Sequence, residues 1–149
     1  MSNRSDGNKF ERVFCDMLRG QGFWVHNMIQ STSGQPADVL AVKNTKAFLI
    51  DCKVCSDGEF RYSRVEPNQH TAMDFWAESG NGEGWFALLM PDETVRMLPY
   101  TNITGTASMG HKAIKGDMLD ALTIPFKAWA DYCEPLIIPT DFRPEYPTE

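Results

Sequence analysis

Two carboxylates and an ammonium lie close together in this chain. Asp38 falls in one apolar run, residues 37–42, and Asp51 in a second, residues 47–54, with Lys53 two positions after it. Side chains alternate across a strand, so Asp51 and Lys53 share one face and Cys52 points to the other. Both runs are nearly continuous, which predicts strands covered on both faces. A carboxylate buried there needs a partner. A hard divalent cation such as Mg2+ would be one, because it takes oxygen ligands and keeps several waters.

The elements around these residues must bring them together. Asn44-Thr45 separates the two runs, with Lys43 and Lys46 on either side, and this predicts an antiparallel hairpin. Asp38 and Asp51, thirteen positions apart, then lie at the start of one strand and toward the end of the next. An antiparallel pair places those two ends side by side. Upstream, Phe10, Val13, Phe14, Met17 and Leu18 recur at helical spacing. Asn8 with Glu11 predicts a capped start, and Gly20 and Gly22 predict the end. Glu11 borders the apolar stripe. It is either a first-turn carboxylate that complements the helix dipole or a third acid facing the sheet as a metal ligand.

The remaining segments offer further contacts. Residues 23–29 read as a strand. In the polar loop 30–35, Ser31, Thr32, Ser33 and the backbone near Gly34 either donate to phosphate oxygens or form a solvated turn. Residues 56–64 interleave Arg61 and Arg64 with Phe60 and Tyr62, which suits phosphate contact and base stacking but also an ordinary hairpin tip. Lys43 and Lys46, with Ser31, Ser33, Arg61 and Arg64, complete the candidate phosphate contacts. Pro67 opens a second helix, with Gln69, Ala72, Met73 and Trp76 on one face. Gln69 is the polar member of that stripe: either it bonds Lys53 or a phosphate, or it is a satisfied amide at the helix start. Strands are predicted at 85–90 and 94–98, a mobile loop over 101–123, and a short helix over 124–133 starting at Pro125. Residues 1–7 and about 135–149 read as extended tails of a single 149-residue domain.

Composition narrows the class. At 42% hydrophobic and 23% charged, the chain has the make-up of a globular domain. It has no run of about 18 apolar residues and no apolar signal segment near Met1, so a cytoplasmic, membrane-free protein is expected. Its net charge of −6 is unevenly spread. Residues 1–65 hold nine Lys/Arg against seven Asp/Glu, and residues 66–149 hold five against thirteen. The half with the acidic motif is therefore the more basic one, and net charge does not decide whether a local groove takes phosphate. Cys52 and Cys55 form one Cys-x-x-Cys, but a structural zinc site needs a second ligand pair and none is present. Cys15, Cys52, Cys55 and Cys133 are read as free thiols.

The order of elements and the residues Glu11, Pro36-Ala37-Asp38 and Asp51-Cys52-Lys53 resemble the PD-(D/E)xK nuclease superfamily. Within it, Val65-Glu66-Pro67-Asn68-Gln69 followed by a helix and a strand looks like the RecU-type Holliday-junction resolvases. Archaeal junction resolvases are similar through the first helix and hairpin. The resemblance spans roughly residues 8–100. It departs from the pattern in two places: Ala37 separates Pro36 from Asp38, and Asp51 stands where glutamate is commoner. It implies an α/β restriction-endonuclease-like core, a mixed sheet of about five strands in the order αβββαβ. The implied enzyme is a Mg2+-dependent endodeoxyribonuclease, with Mn2+ as a substitute, nicking branched DNA as a homodimer without an organic cofactor. The bacterial or phage-infected cytoplasm is the expected setting. Asp38, Asp51, the Cys52 carbonyl and Glu11 would be metal ligands, Lys53 would orient the attacking water, and Gln69 would support the site. A restriction or repair nuclease acting on other DNA, or a non-catalytic nucleic-acid-binding module on the same fold, are the alternatives.

Overall fold

The computed structural model describes residues 3–28 and 35–131. In chain order it contains α1 (Asn3–Gly20), β1 (Trp24–Asn27), β2 (Val39–Lys43), β3 (Lys46–Val54), β4 (Phe60–Arg61), α2 (Pro67–Glu78), β5 (Trp85–Leu89), β6 (Val95–Pro99), α3 (Tyr100–Ser108), β7 (Ala113–Ile114), α4 (Gly116–Leu122), β8 (Ile124–Pro125) and α5 (Phe126–Asp131). One sheet has the strand order β1-β2-β3-β5-β6-β8, and β4 pairs with β7 in a second. β3 and β5 run parallel, while the other neighbours in the large sheet are antiparallel. The expected mixed α/β core is present, with six strands in its main sheet instead of about five.

Each face of the sheet has its own apolar layer. Phe10, Phe14 and Leu18 of α1 pack with Val39, Ala41 and Ile50 on one face, and Phe126 and Trp129 of α5 join them. Burying side chains of this size contributes about 1.5–3 kcal/mol each. Trp129 stacks on Phe23 at 5.5 Å and meets Phe48 edge-on at 5.1 Å, tying α5 to the hairpin. On the other face, Met73 of α2, Leu49, Phe86, Leu88 and Ile103 of α3 form the second layer. The two faces of β3 are thus both covered, as its continuous apolar run predicts.

Local chemistry sets the element ends. α1 stops where Phe23 N–H returns to the Leu18 carbonyl at 3.1 Å, with Gly22 at φ 85°, a left-handed C-cap suited to glycine. The β2–β3 turn holds Asn44 at φ 52° and Thr45 at φ 67°, the two positive values a type I′ hairpin requires. Gly84 precedes β5 where α2 crosses the sheet. A Cβ there would lie 1.8 Å from Met73 Sδ, so the missing side chain sets how closely α2 sits.

Three expectations are corrected. The first helix begins at Asn3, so residues 3–7 are helical and Asn8 lies inside the helix rather than capping it. Residues 101–123 are built from α3, β7 and α4, not a mobile loop. They are held because Phe60 and Ile114 pair across β4–β7, both fully buried, and Tyr62 bonds Thr106. The last helix starts at Phe126, not Pro125. Pro125 instead belongs to β8, an edge strand where a missing N–H is tolerated. Residues 135–149 and Cys133 lie outside the described residues.

Candidate active site

β2 ends its ladder with β3 at the Val39–Ile50 pair, and the site forms just beyond it. Asp38 N–H donates to the Ile50 carbonyl at 3.2 Å, which extends the strand by one residue. Its side chain then turns along β3: Asp38 Oδ2 accepts from Cys52 N–H at 2.8 Å. The other oxygen, Oδ1, accepts from Gln35 Nε2 at 2.6 Å. Asp38 is 7% exposed and Asp51 1%, so both acids are buried at the sheet's lip.

Asp51 and Lys53 project from β3 toward α2. Lys53 Nζ lies 3.1 Å from Asp51 Oδ2. Among the described residues that oxygen is buried and receives no directed hydrogen bond, so the contact is an ion pair. Gln69, in the first turn of α2, holds both groups. Its Nε2 donates to Asp51 Oδ1 at 3.1 Å, and its Oε1 accepts from Lys53 Nζ at 3.4 Å. Oε1 also accepts from Glu66 N–H at 3.0 Å, capping the helix. Both readings of Gln69 therefore hold: one amide caps α2 and fixes the acid–lysine pair.

Glu11 approaches from α1, on the opposite face. Burial pushes its carboxyl up to about 7; Asp38 adds to the rise through its charge and a shared hydrogen bond, while Lys53 opposes it. Asp51 is raised well above the usual carboxylate range, by burial first and then by Asp38. Three carboxyl groups thus crowd one lysine. No three His, Cys, Asp or Glu side chains converge as a ready-made cage among the described residues. The donors nevertheless suit a hard cation. Two carboxylates meet at the lip, and one of their oxygens is buried without a hydrogen bond among the described residues. In a strand one residue's N–H and C=O project to the same side. The Cys52 carbonyl therefore faces the Asp38 side, where its N–H is bonded. Few protein oxygens with the remainder supplied by water and phosphate is the coordination Mg2+ favours.

The candidate DNA contacts separate into two groups. A cleft of about 420 Å³ beside the acids is lined by Cys52, Lys53, Ser56, Asp57, Arg61 and Arg64. Arg64 donates to the Val54 carbonyl at 2.6 Å, and Arg61 is ion-paired with Asp57 at 2.6 Å and Glu59 at 3.1 Å. Phe60 and Tyr62, between and beside them, are committed to packing and hydrogen bonding and do not form a stacking platform. Lys43 and Lys46 stand at the turn end of the hairpin, about 17 Å along the strand from Asp51 at the usual rise per residue. Lys43 is spent there: it donates to the Gln21 carbonyl at 2.6 Å and covers the Phe23 ring at 5.3 Å. Ser31 and Ser33 lie outside the described residues. Two partners are not evident in the sequence: Gln35, and Asn68, which donates from Nδ2 to the Gln35 carbonyl at 2.8 Å. Their position beside the motif is the only signal the sequence offers for them.

Cys52 packs into the α1 layer and Cys55 into the α2 layer. Their side chains diverge, and burial pushes both thiols up, away from the reactive thiolate. Both are free thiols, as expected, and the Cys-x-x-Cys spacing is incidental to the site.

A family model for the archaeal Holliday junction resolvase (hjc) matches residues 2–133. No curated protein matches the chain. Among solved structures it is similar to Archaeoglobus fulgidus Hjc, a Holliday junction resolvase from an archaeal hyperthermophile. That likeness has a TM-score of 0.65 at 18% identity and covers 85% of this chain and 99% of that one. At such identity it bears on the fold, and it extends the resemblance past residue 100. The family description is archaeal, which gives no support to a bacterial or phage origin. No helix among the described residues is long and apolar enough to cross a membrane.

Proposed function

The chain belongs to the archaeal Holliday junction resolvase family, and on that premise we propose that it cuts branched DNA with a divalent cation held at Asp38 and Asp51. The observation that carries this reading is the meeting of Asp38, Asp51, Lys53 and Gln69 at one lip of the sheet. Asp38, Asp51 and the Cys52 carbonyl would hold Mg2+ or Mn2+. Bound there, the cation would polarise the scissile phosphoryl oxygen and acidify a water.

The chain's own residues do the remaining work. Lys53 offsets charge that develops on the phosphoryl group and orients the attacking water. Gln69 keeps Lys53 and Asp51 in register, so neither has to reorganise during the reaction. Glu11, raised to about 7, can exchange a proton near neutral pH beside Asp38 or help hold a second cation. Arg61 and Arg64 line the adjoining cleft and suit the phosphates flanking the cut. Symmetric nicks on two strands of a junction need two sites, which favours a homodimer.

The test is cleavage of a labelled four-way junction and of a linear duplex of the same sequence, with Mg2+, Mn2+ or chelator. Paired, cation-dependent nicks on the junction alone are expected. Cutting in excess chelator would remove the metal from the mechanism, and equal cutting of linear duplex would make the enzyme a nuclease for other DNA.

A further inference from the structure

Among the described residues two N–H groups donate to Asp38, and one of them is inherent to the strand. Cys52 N–H is a backbone group fixed by β3. The other, Gln35 Nε2, belongs to a side chain three positions earlier and contacts Asp38 Oδ1 at 2.6 Å. Among the described residues, Oε1 of the same amide is buried and has no hydrogen-bond partner. Turning the amide over would bring Oε1 against the carboxylate, oxygen to oxygen, so the donor contact dictates its orientation.

Gln35 is itself anchored. Its carbonyl accepts from Asn68 Nδ2 at 2.8 Å, in the first turn of α2. The next residue, Gln69, holds Asp51 and Lys53. Adjacent side chains of one helical turn therefore reach both carboxylates, Gln69 directly and Asn68 through Gln35.

We infer that Gln35 is a positioning residue for the metal-binding carboxylate, aiming Asp38 Oδ1 from a backbone tied by Asn68 to the α2 turn that fixes Asp51. The chemistry is that of a hydrogen-bonded ligand. A carboxylate that receives an N–H from an anchored side chain keeps its direction. Without that donor Oδ1 loses its aim while Cys52 N–H still holds Oδ2, and a cation must then order the carboxylate as it binds. The inference rests on the reading of Asp38 as a ligand.

Mn2+ titration of the DNA-free protein by calorimetry tests it. Gln35→Met keeps the bulk and removes the donor. Its Mn2+ affinity is expected to fall roughly 10-fold, within the range for lost partners of metal ligands. Asn68→Ala is expected to weaken binding in the same direction by less. Because the defect lies in loading, excess cation should restore the cleavage kcat of Gln35→Met while the concentration for half-activation stays raised. Circular dichroism and thermal melting report the fold separately, and Gln35→Ala, which removes the donor without adding a charge or a metal ligand, serves if Gln35→Met does not fold. Unchanged Mn2+ affinity in folded Gln35→Met, or a kcat that excess cation does not restore, would overturn the inference. Asp38→Asn separates the two levels: if it leaves Mn2+ affinity intact, the ligand reading itself fails, whereas loss there with no effect of Gln35→Met removes only the role of Gln35.

Discussion

Lys43 and Lys53 occupy opposite ends of one hairpin, and their surroundings make them different groups. At the turn end, the partners of Lys43 among the described residues are neutral, the Gln21 carbonyl and the Phe23 ring. It is a clasp between β2 and the end of α1. At the open end, Lys53 meets a carboxylate and an amide, in a cleft it shares with two arginines. The difference follows from strand pairing. At the turn the backbone closes on itself and leaves nothing to catalyse. At the open end β2 begins late, so β3 continues past it and exposes both a carbonyl and a carboxylate to the gap.

The largest expected effect tests this contrast directly. Lys53→Ala should lower kcat for junction cleavage by about 10²–10³-fold, the usual loss for a charge-stabilising donor. Asp51→Asn should do at least as much, and Lys43→Ala should leave kcat unchanged. A large kcat loss for Lys43→Ala, measured on folded protein, would erase the distinction. Next is Gly84→Ala, which pushes Met73 and α2 off the sheet. Denaturant unfolding should register a loss of about 1–3 kcal/mol, the range for overpacking. Cleavage should fall as well, since Gln69 rides on the same helix.

The acid end also predicts a pH signature. Glu11 is raised from 4.5 to about 7 in the folded protein. The folded state therefore binds more protons than the unfolded state between those values, and the stabilisation present below pH 4.5 is lost as pH rises through 7. Asp51 acts in the same direction. Across this window, metal-free Glu11→Gln should show a shallower decline in melting temperature than the parent. An identical slope would mean that Glu11 does not carry the strain. The turn end gives the smallest effect. Thr45 is a β-branched residue at φ 67°. Thr45→Gly should stabilise the protein by about 0.5–1 kcal/mol in a denaturant titration, without change in cleavage.

Much of the site is legible in the sequence alone. Asp38, Asp51 and Lys53 stand out because strand alternation and hairpin pairing are local rules with fixed periods. Gln69 stands out as a polar residue on an apolar stripe. Arg61 and Arg64 are visible as a pair, but the aromatics around them suggest a stacking platform that does not form, because Phe60 and Tyr62 pair with residues about fifty positions later. The same partnership hides α3. Its sequence, Tyr-Thr-Asn-Ile-Thr-Gly-Thr-Ala-Ser, is poor in strong helix formers, and burial of Tyr100, Ile103 and Thr106 supports it.

The sequence by itself determined the hairpin, its two acids and the lysine on one face, because each depends on neighbours a few residues away. Tertiary structure decided which charges come together at the candidate site. Glu11 comes from the α1 face and Gln69 from the α2 face, and they meet the strand acids only because both helices pack against one sheet. Whether a carboxylate is raised, paired or left with an unbonded oxygen depends on burial and on donors distant in sequence, and those are properties of the packed molecule.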